Sequence, residues 1–126
     1  HNDWVRILEG RLMTTSGQCL CGRITFEISG EPAPIEICHC SQCRRAQGTA
    51  FATNIPVATD QFHFLTGEDC LSVYESSPGK ERAFCSHCGA PVFSRRASLP
   101  GKIRVRAGLL EGPLKQGPSS HAFTAS

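Results

Sequence analysis

The sequence predicts a mostly β, single-domain protein of antiparallel sheets with one short helix. Three observations carry that prediction. Apolar residues alternate with polar ones in short runs, the two-residue period of half-buried strands. No stretch keeps a long helical period, and there is no internal repeat or low-complexity segment. Seven of the eight cysteines fall into tight local clusters, leaving Cys70 apart, a pattern that organises short loops around a shared centre.

The size suits one domain. A chain of 126 residues is one unit by length and buries about two thirds of its unfolded surface. Seven Phe and one Trp make a modest core. Apolar content is ordinary and charge is low, so disorder is excluded. No apolar run approaches the roughly 20 residues of a membrane span. Asp3, Arg6, Glu9 and Arg11 break up the apolar residues of the first stretch, so it does not read as a secretory signal, and a cytoplasmic protein is expected. His1 to Leu12 match no later motif. Met13, the only methionine, precedes Thr14-Thr15-Ser16-Gly17 in the manner of a natural N-terminus. Residues 1–12 are therefore expected to be an added or upstream-translated tail, and residues 13–126 the domain.

Within that domain the elements follow in order. Ile24, Phe26 and Ile28 alternate with polar residues and predict a strand. Ser29 to Pro34 is a loop, since its prolines lack the amide hydrogens of a central ladder. Ser41 caps a short helix that runs through Gln47 and ends at Gly48. Phe51, Thr53, Ile55 and Val57 alternate again, and Phe62 to Leu65 form another short strand before Thr66-Gly67. Leu71–Glu75 and Lys80–Phe84 flank Ser76-Ser77-Pro78-Gly79, a hairpin with a turn-rich loop. Ala90–Phe93 and Lys102–Ala107 complete the strands.

The cysteines carry the chemistry. An even count permits a disulfide framework, but Cys19-x-Cys21, Cys38-x-Cys40-x-x-Cys43 and Cys85-x-x-Cys88 are local clusters without a secretory signal, which points to metal. The triple cluster lies within six residues. A turn and one helical turn aim all three sulfurs at one point and leave a tetrahedron incomplete, as in zinc sites that keep an open position. Cys43 then falls in the first helical turn, where the helix dipole and nearby Arg44 favour a thiolate. A distant His39, His63, His87 or His121 would close that site and make it structural. Seven thiolates and two Zn²⁺ would move the formal charge from +2 to about −1, so a basic nucleic-acid footprint is not indicated.

These pieces together resemble the glutathione-dependent formaldehyde-activating enzyme family, also called the Gfa or CENP-V family. The resemblance rests on Gly17-x-Cys19-x-Cys21-Gly22, Cys38-His39-Cys40-x-x-Cys43-Arg44-Arg45 with Gly48 and Phe51, Leu65-Thr66-Gly67, Leu71-x-x-Tyr74, and Phe84-Cys85-x-x-Cys88-Gly89-x-Pro91-x-Phe93. It covers about Gly17 to Leu110. It implies a β-tent fold of packed antiparallel sheets. It implies that Cys19, Cys21, Cys85 and Cys88 hold a structural zinc, and that Cys38, Cys40 and Cys43 hold a second, reactive one. Counting agrees: two paired clusters make a closed four-sulfur site, and the triple cluster leaves a vacancy. The implied activity is carbon–sulfur lyase-like, joining glutathione to formaldehyde or cleaving such adducts, with glutathione as cosubstrate. Family members usually continue past His121-Ala122-Phe123 into a further strand, whereas this sequence stops at Ser126.

Around the triple cluster, His39 is a candidate proton donor, and Arg44 and Arg45 are candidates for glutathione's carboxylates. His121 falls in a region that approaches the pocket in the family. Cys70 reads as a buried spare thiol, and Arg95 and Arg96 as loop charges. The expected partner is a small-molecule thiol adduct, with no nucleic acid or membrane, and with homodimerisation possible. A non-catalytic, zinc-stabilised binding module is the competing class.

Overall fold

The computed structural model describes residues 14–111 and the backbone of residues 120–122. The expectations for residues 1–12 and for the side chain of His121 lie outside the described residues. The strands are β1 (Thr15–Gln18), β2 (Thr25–Ile28), β3 (Glu36–Cys38), β4 (Ala52–Ala58), β5 (Phe62–Thr66), β6 (Leu71–Ser77), β7 (Lys80–Cys85), β8 (Pro91–Arg96), β9 (Lys102–Arg106) and β10 (Ser120–Ala122). One helix, α1 (Ser41–Gln47), joins β3 to β4. No described helix is long and apolar enough to cross a membrane.

Two sheets make the β-tent. The smaller has the order β1-β2-β5 and the larger β10-β3-β4-β9-β8-β7-β6. Every pairing is antiparallel except one: β10 runs parallel to β3, with His121 level with Ile37 and Ala122 with Cys38. Each sheet turns one face to a shared core. Ile24, Phe26 and Ile28 on the small-sheet side meet Ile55, Val57, Phe93, Ile103 and Val105 of the large sheet. An aromatic bridge links them. The Phe62 ring stacks on Phe26 at 4.8 Å and meets Phe93 edge-on at 5.7 Å, arrangements that add to simple burial.

The strand alternations place these residues with two departures. In β4 the buried positions are Ala52, Asn54, Ile55 and Val57, while Phe51 is exposed. The strand is covered on both faces, so the two-residue period breaks down. Pro56 is tolerated there because β3 pairs with β4 only as far as Asn54, leaving the proline beside an open edge. The hairpin is also tighter than expected. β6 runs to Ser77 and β7 starts at Lys80, so only Pro78-Gly79 turn the chain. Gly67, after β5, combines a left-handed backbone (φ +78°) with a close approach: a Cβ there would collide with the Arg23 carbonyl.

Candidate metal centres

The first cluster joins the two sheets. Cys19 and Cys21 lie in the turn between β1 and β2, and Cys85 and Cys88 lie at the end of β7 and in the turn after it. The four sulfurs all lie within 4.8 Å of one another. Cys19 Sγ and Cys21 Sγ are 3.6 Å apart, and Cys21 Sγ and Cys85 Sγ 3.9 Å. A tetrahedron with metal–sulfur bonds of the zinc length has edges of about 3.8 Å, so the four sulfurs are spaced for one ion. All eight cysteines are free thiols, which excludes the disulfide framework among them.

Backbone amides are aimed at the same sulfurs. Ile24 N–H donates to Cys19 Sγ at 3.4 Å, and Cys88 N–H donates to Cys85 Sγ at 3.5 Å. Burial alone would raise the Cys88 thiol, but amides of Ala90 and Cys21 and the neighbouring thiols outweigh it and hold it at about 6. The amide of Arg23 pulls Cys21 down, yet burial and the neighbouring thiols push it up to about 11. Four thiols this close do not share negative charge readily without a cation among them. Ser86 N–H and Oγ–H both donate to the Cys70 carbonyl at 2.8 Å, pinning the turn between Cys85 and Cys88. Cys70 itself is half-buried against the core, not fully buried as expected.

The second cluster is local. Cys38 ends β3, Cys40 precedes α1 and Cys43 lies in its first turn. Their three sulfurs again fall within 4.8 Å of one another, and no described His, Cys, Asp or Glu joins them as a fourth donor. The helix begins at its expected cap, Ser41, one residue earlier than predicted. Cys40, not Ser41, is the N-cap, and its Sγ accepts from Cys43 N–H at 3.5 Å. That amide is the main reason the Cys40 thiol sits below its ordinary value, while burial pushes the Cys38 thiol up. Gly48 closes the helix with a left-handed backbone (φ +69°), its N–H returning to the Arg44 carbonyl at 2.7 Å.

The structure also brings up residues that alternation hides. Arg82 of β7, Ser94 of β8, Arg106 of β9 and Asn54 of β4 form a buried polar row on the face of the large sheet away from the shared core. Arg106 Nη1 donates to Asn54 Oδ1 and, at 3.4 Å, to Ser94 Oγ, and Gln47 Nε2 of α1 donates to Asn54 Oδ1 at 2.9 Å. Arg82 donates from Nε to Ser76 Oγ at 2.9 Å and from Nη2 to Cys43 Sγ at 3.9 Å. The guanidinium that reaches Cys43 is therefore Arg82 from a distant strand, not neighbouring Arg44. Strands alternating apolar and basic residues read as half-solvated. The missing signal was the helix that covers their polar face.

Other candidates are placed as follows. The His39 ring lies 5.7 Å from that of Phe51, beside the triple cluster. Arg44 is half-buried and Arg45 exposed, and neither has a hydrogen bond to the three thiols. His63 and His87 are exposed and belong to neither cluster. Arg95 and Arg96 are strand residues of β8, not loop charges, and Arg95 Nε pairs with Glu81 Oε1 at 2.8 Å.

Comparisons with known proteins agree with this geometry. The family model described as "Glutathione-dependent formaldehyde-activating enzyme" matches residues 14–126. A protein of Halomonas elongata described as a "Putative glutathione-dependent formaldehyde-activating enzyme" is 31% identical over 84% of this chain and 71% of its own length. A protein of Aspergillus flavus with the same description is 28% identical over 61% of the chain, which spans only 41% of that longer relative. Among solved structures, a Rhodobacter sphaeroides protein superposes with a TM-score of 0.68 at 26% identity, covering 85% of this chain and 99% of that one. Matched by that family model over residues 14–126 and by a relative 31% identical, the chain belongs to the glutathione-dependent formaldehyde-activating enzyme family.

Proposed function

We propose that the protein is a zinc-dependent, carbon–sulfur lyase-like enzyme acting on thiol adducts of formaldehyde or a related small electrophile, with glutathione as the thiol. The observation that carries this reading is the contrast between the two clusters: four gathered thiols in one, three in the other with no fourth described donor. Thiolates select a soft or borderline ion and the spacing suits a tetrahedral one, so zinc is the proposed occupant of both. Zinc at the triple cluster would supply a Lewis acid beside an exchangeable position.

The chain's own groups do the rest. Cys38, Cys40 and Cys43 are gathered by the end of β3 and the start of α1. The reaction forms a bond between the thiol sulfur and the aldehyde carbon, and the thiol's proton ends on the carbonyl oxygen. The reverse reaction breaks that bond. His39 is the proposed carrier of that proton, its ring packed against Phe51. Arg82, hydrogen-bonded to Cys43 Sγ, offsets part of the negative charge of three thiolates. Holding thiol and aldehyde in line contributes to lowering the barrier.

Binding is the direct test, because formaldehyde already reacts quickly with thiols unaided. Zinc-loaded protein is titrated with glutathione and with S-hydroxymethylglutathione, alongside Cys40→Ser. The expected result is about two zinc ions per wild-type chain and binding that Cys40→Ser abolishes. Equal binding by wild type and variant, or none by either, sinks the enzyme reading and favours a zinc-stabilised binding module.

A further inference from the structure

We propose that the cleft between α1 and the outer strands β6 to β8 is a carboxylate subsite, and that Arg82 is its specificity-determining residue. The inference rests on the reading of the triple cluster as a thiol-adduct site and adds the chemical class of the substrate. The cleft has a volume of about 200 Å³ and is walled by Ala46 of α1, Tyr74, Phe84 and Pro91, with Arg82 and Arg106 as its cations. It adjoins the triple cluster. Arg82 lines the cleft and also touches Cys43 Sγ, while Ala46 follows Cys43 by one helical turn.

Its electrostatics call for an anion. Arg82 is 3% exposed, and its Nη1 is buried with no hydrogen-bond partner, although Nε and Nη2 are both engaged. A buried guanidinium with an idle arm is costly unless something accepts from it. Arg106 has neutral hydrogen-bond partners, with repulsion from Arg82 and Arg104 set against attraction from Cys43 and Tyr74, and Lys80 is repelled by Arg96, Arg82 and Arg104. No described carboxylate lies within ion-pair distance of Lys80, Arg82 or Arg106, since the ion pair found joins Arg95 to Glu81. Pairing with Cys43 offsets part of this charge but leaves the Nη1 donor unused.

Shape narrows the ligand. The cleft is smaller than the ~300–1,000 Å³ of pockets that enclose a drug-sized molecule. It suits one carboxylate-bearing arm, not a whole tripeptide. The rings of Tyr74 and Phe84, edge-on at 5.9 Å, supply an apolar wall for the carbons of that arm. A planar guanidinium favours a carboxylate over a neutral oxygen. The substrate is then a thiol or thiol adduct whose carboxylate lies on Arg82 while its sulfur reaches the triple cluster.

Calorimetric titration of the full, zinc-loaded chain tests this with three probes: mercaptopropionate, its neutral counterpart mercaptopropanol, and propionate. The expected result is that mercaptopropionate binds about tenfold tighter than mercaptopropanol or better, that propionate competes, and that the preference vanishes in Arg82→Met. Equal binding of the two thiols by wild type overturns the carboxylate subsite and leaves the thiol reading standing. Arg82-dependent binding of propionate without binding of either thiol supports the subsite and overturns the thiol reading. Silence from all three probes overturns both. Should Arg82→Met fail to fold with its zinc, the wild-type comparison of the two thiols decides by itself.

Discussion

The two thiol clusters use the same ligand chemistry over very different lengths of chain. Cys19 and Cys21 meet Cys85 and Cys88 across the small and large sheets, so one centre joins elements 64 residues apart. Cys38, Cys40 and Cys43 are gathered by a strand end and one helical turn of a single sheet. An ion in the first centre closes a long loop and ties the two sides of the tent. An ion in the second joins residues that are already neighbours. Loop closure grows in cost with length, so an ion in the long-range centre would contribute more to stability than one in the local centre. On the proposed reading, sequence span is what would separate the structural metal site from the reactive one.

Cysteine replacement gives the largest expected effect and the most direct way to break that comparison. Binding of structural zinc in small domains is worth about 10–16 kcal/mol, as much as a typical domain's whole net stability of roughly 5–15 kcal/mol. Cys88→Ser is expected to give unfolded or insoluble protein. Cys40→Ser is expected to remain folded and to carry one zinc fewer. Thermal melting with metal analysis checks both, and equal melting of the two variants would refute the division of labour.

Glycine replacement sharpens the same contrast at lower amplitude. Gly67 packs against Arg23, near the Cys19–Cys21 turn, whereas Gly48 ends the helix of the triple cluster with open space around it. Gly48→Ala meets only the left-handed backbone penalty, about 1–2 kcal/mol. Gly67→Ala adds a collision with the Arg23 carbonyl and is expected to cost about 3 kcal/mol or more. Denaturant titration of both variants reads the difference. A Gly48→Ala cost equal to that of Gly67→Ala would show that the helix end is as tightly constrained as the sheet junction.

The smallest expected effect is a pH dependence on the side of the triple cluster. Lys80 is buried, and burial, then repulsion by Arg96 and Arg82, lowers its pKa from 10.5 to about 8, against a weaker opposing pull from Cys43. Between those values the unfolded chain keeps the proton that the folded chain releases, so Lys80 makes stability rise with pH in that window. Below about 8 the side chain is charged in both states and its burial is a standing cost. Lys80→Met is therefore expected to melt above wild type at pH 7, and the gap is expected to narrow as pH rises from 8 to 10. Melting curves at fixed zinc concentration test it, and a gap that widens with pH would reverse the sign.

Much of this was legible in the residues themselves. Cysteine spacing marked three local thiol clusters, because a thiol two or three residues from another needs only a turn to meet it, and the pairing of the first with the third came from the family resemblance. Alternation located β2 and β9, because a strand with one face on the core must repeat every second residue, and the turn-rich Ser76-Ser77-Pro78-Gly79 stretch located the hairpin of β6 and β7. Gly48 marked the helix end, because few other residues tolerate that backbone. Alternation found the strand β4 but not its full buried set, since Asn54 is buried beside Ile55 in a strand covered on both faces, and the expected Ser41 cap was displaced by a cysteine that serves as cap and cluster member together.

What the sequence determined by itself was local: the donor types, their spacing and the class of ion they suit. The tertiary structure decided the rest. It brought the Cys19–Cys21 turn onto the turn after β7, a long-range meeting that spacing alone does not encode. It laid α1 over the polar face of the large sheet, turning Arg82 and Arg106 from apparent surface charges into buried cations beside Cys43. The physical reason is that a side chain's charge is a property of the residue, whereas its desolvation belongs to whatever packs over it.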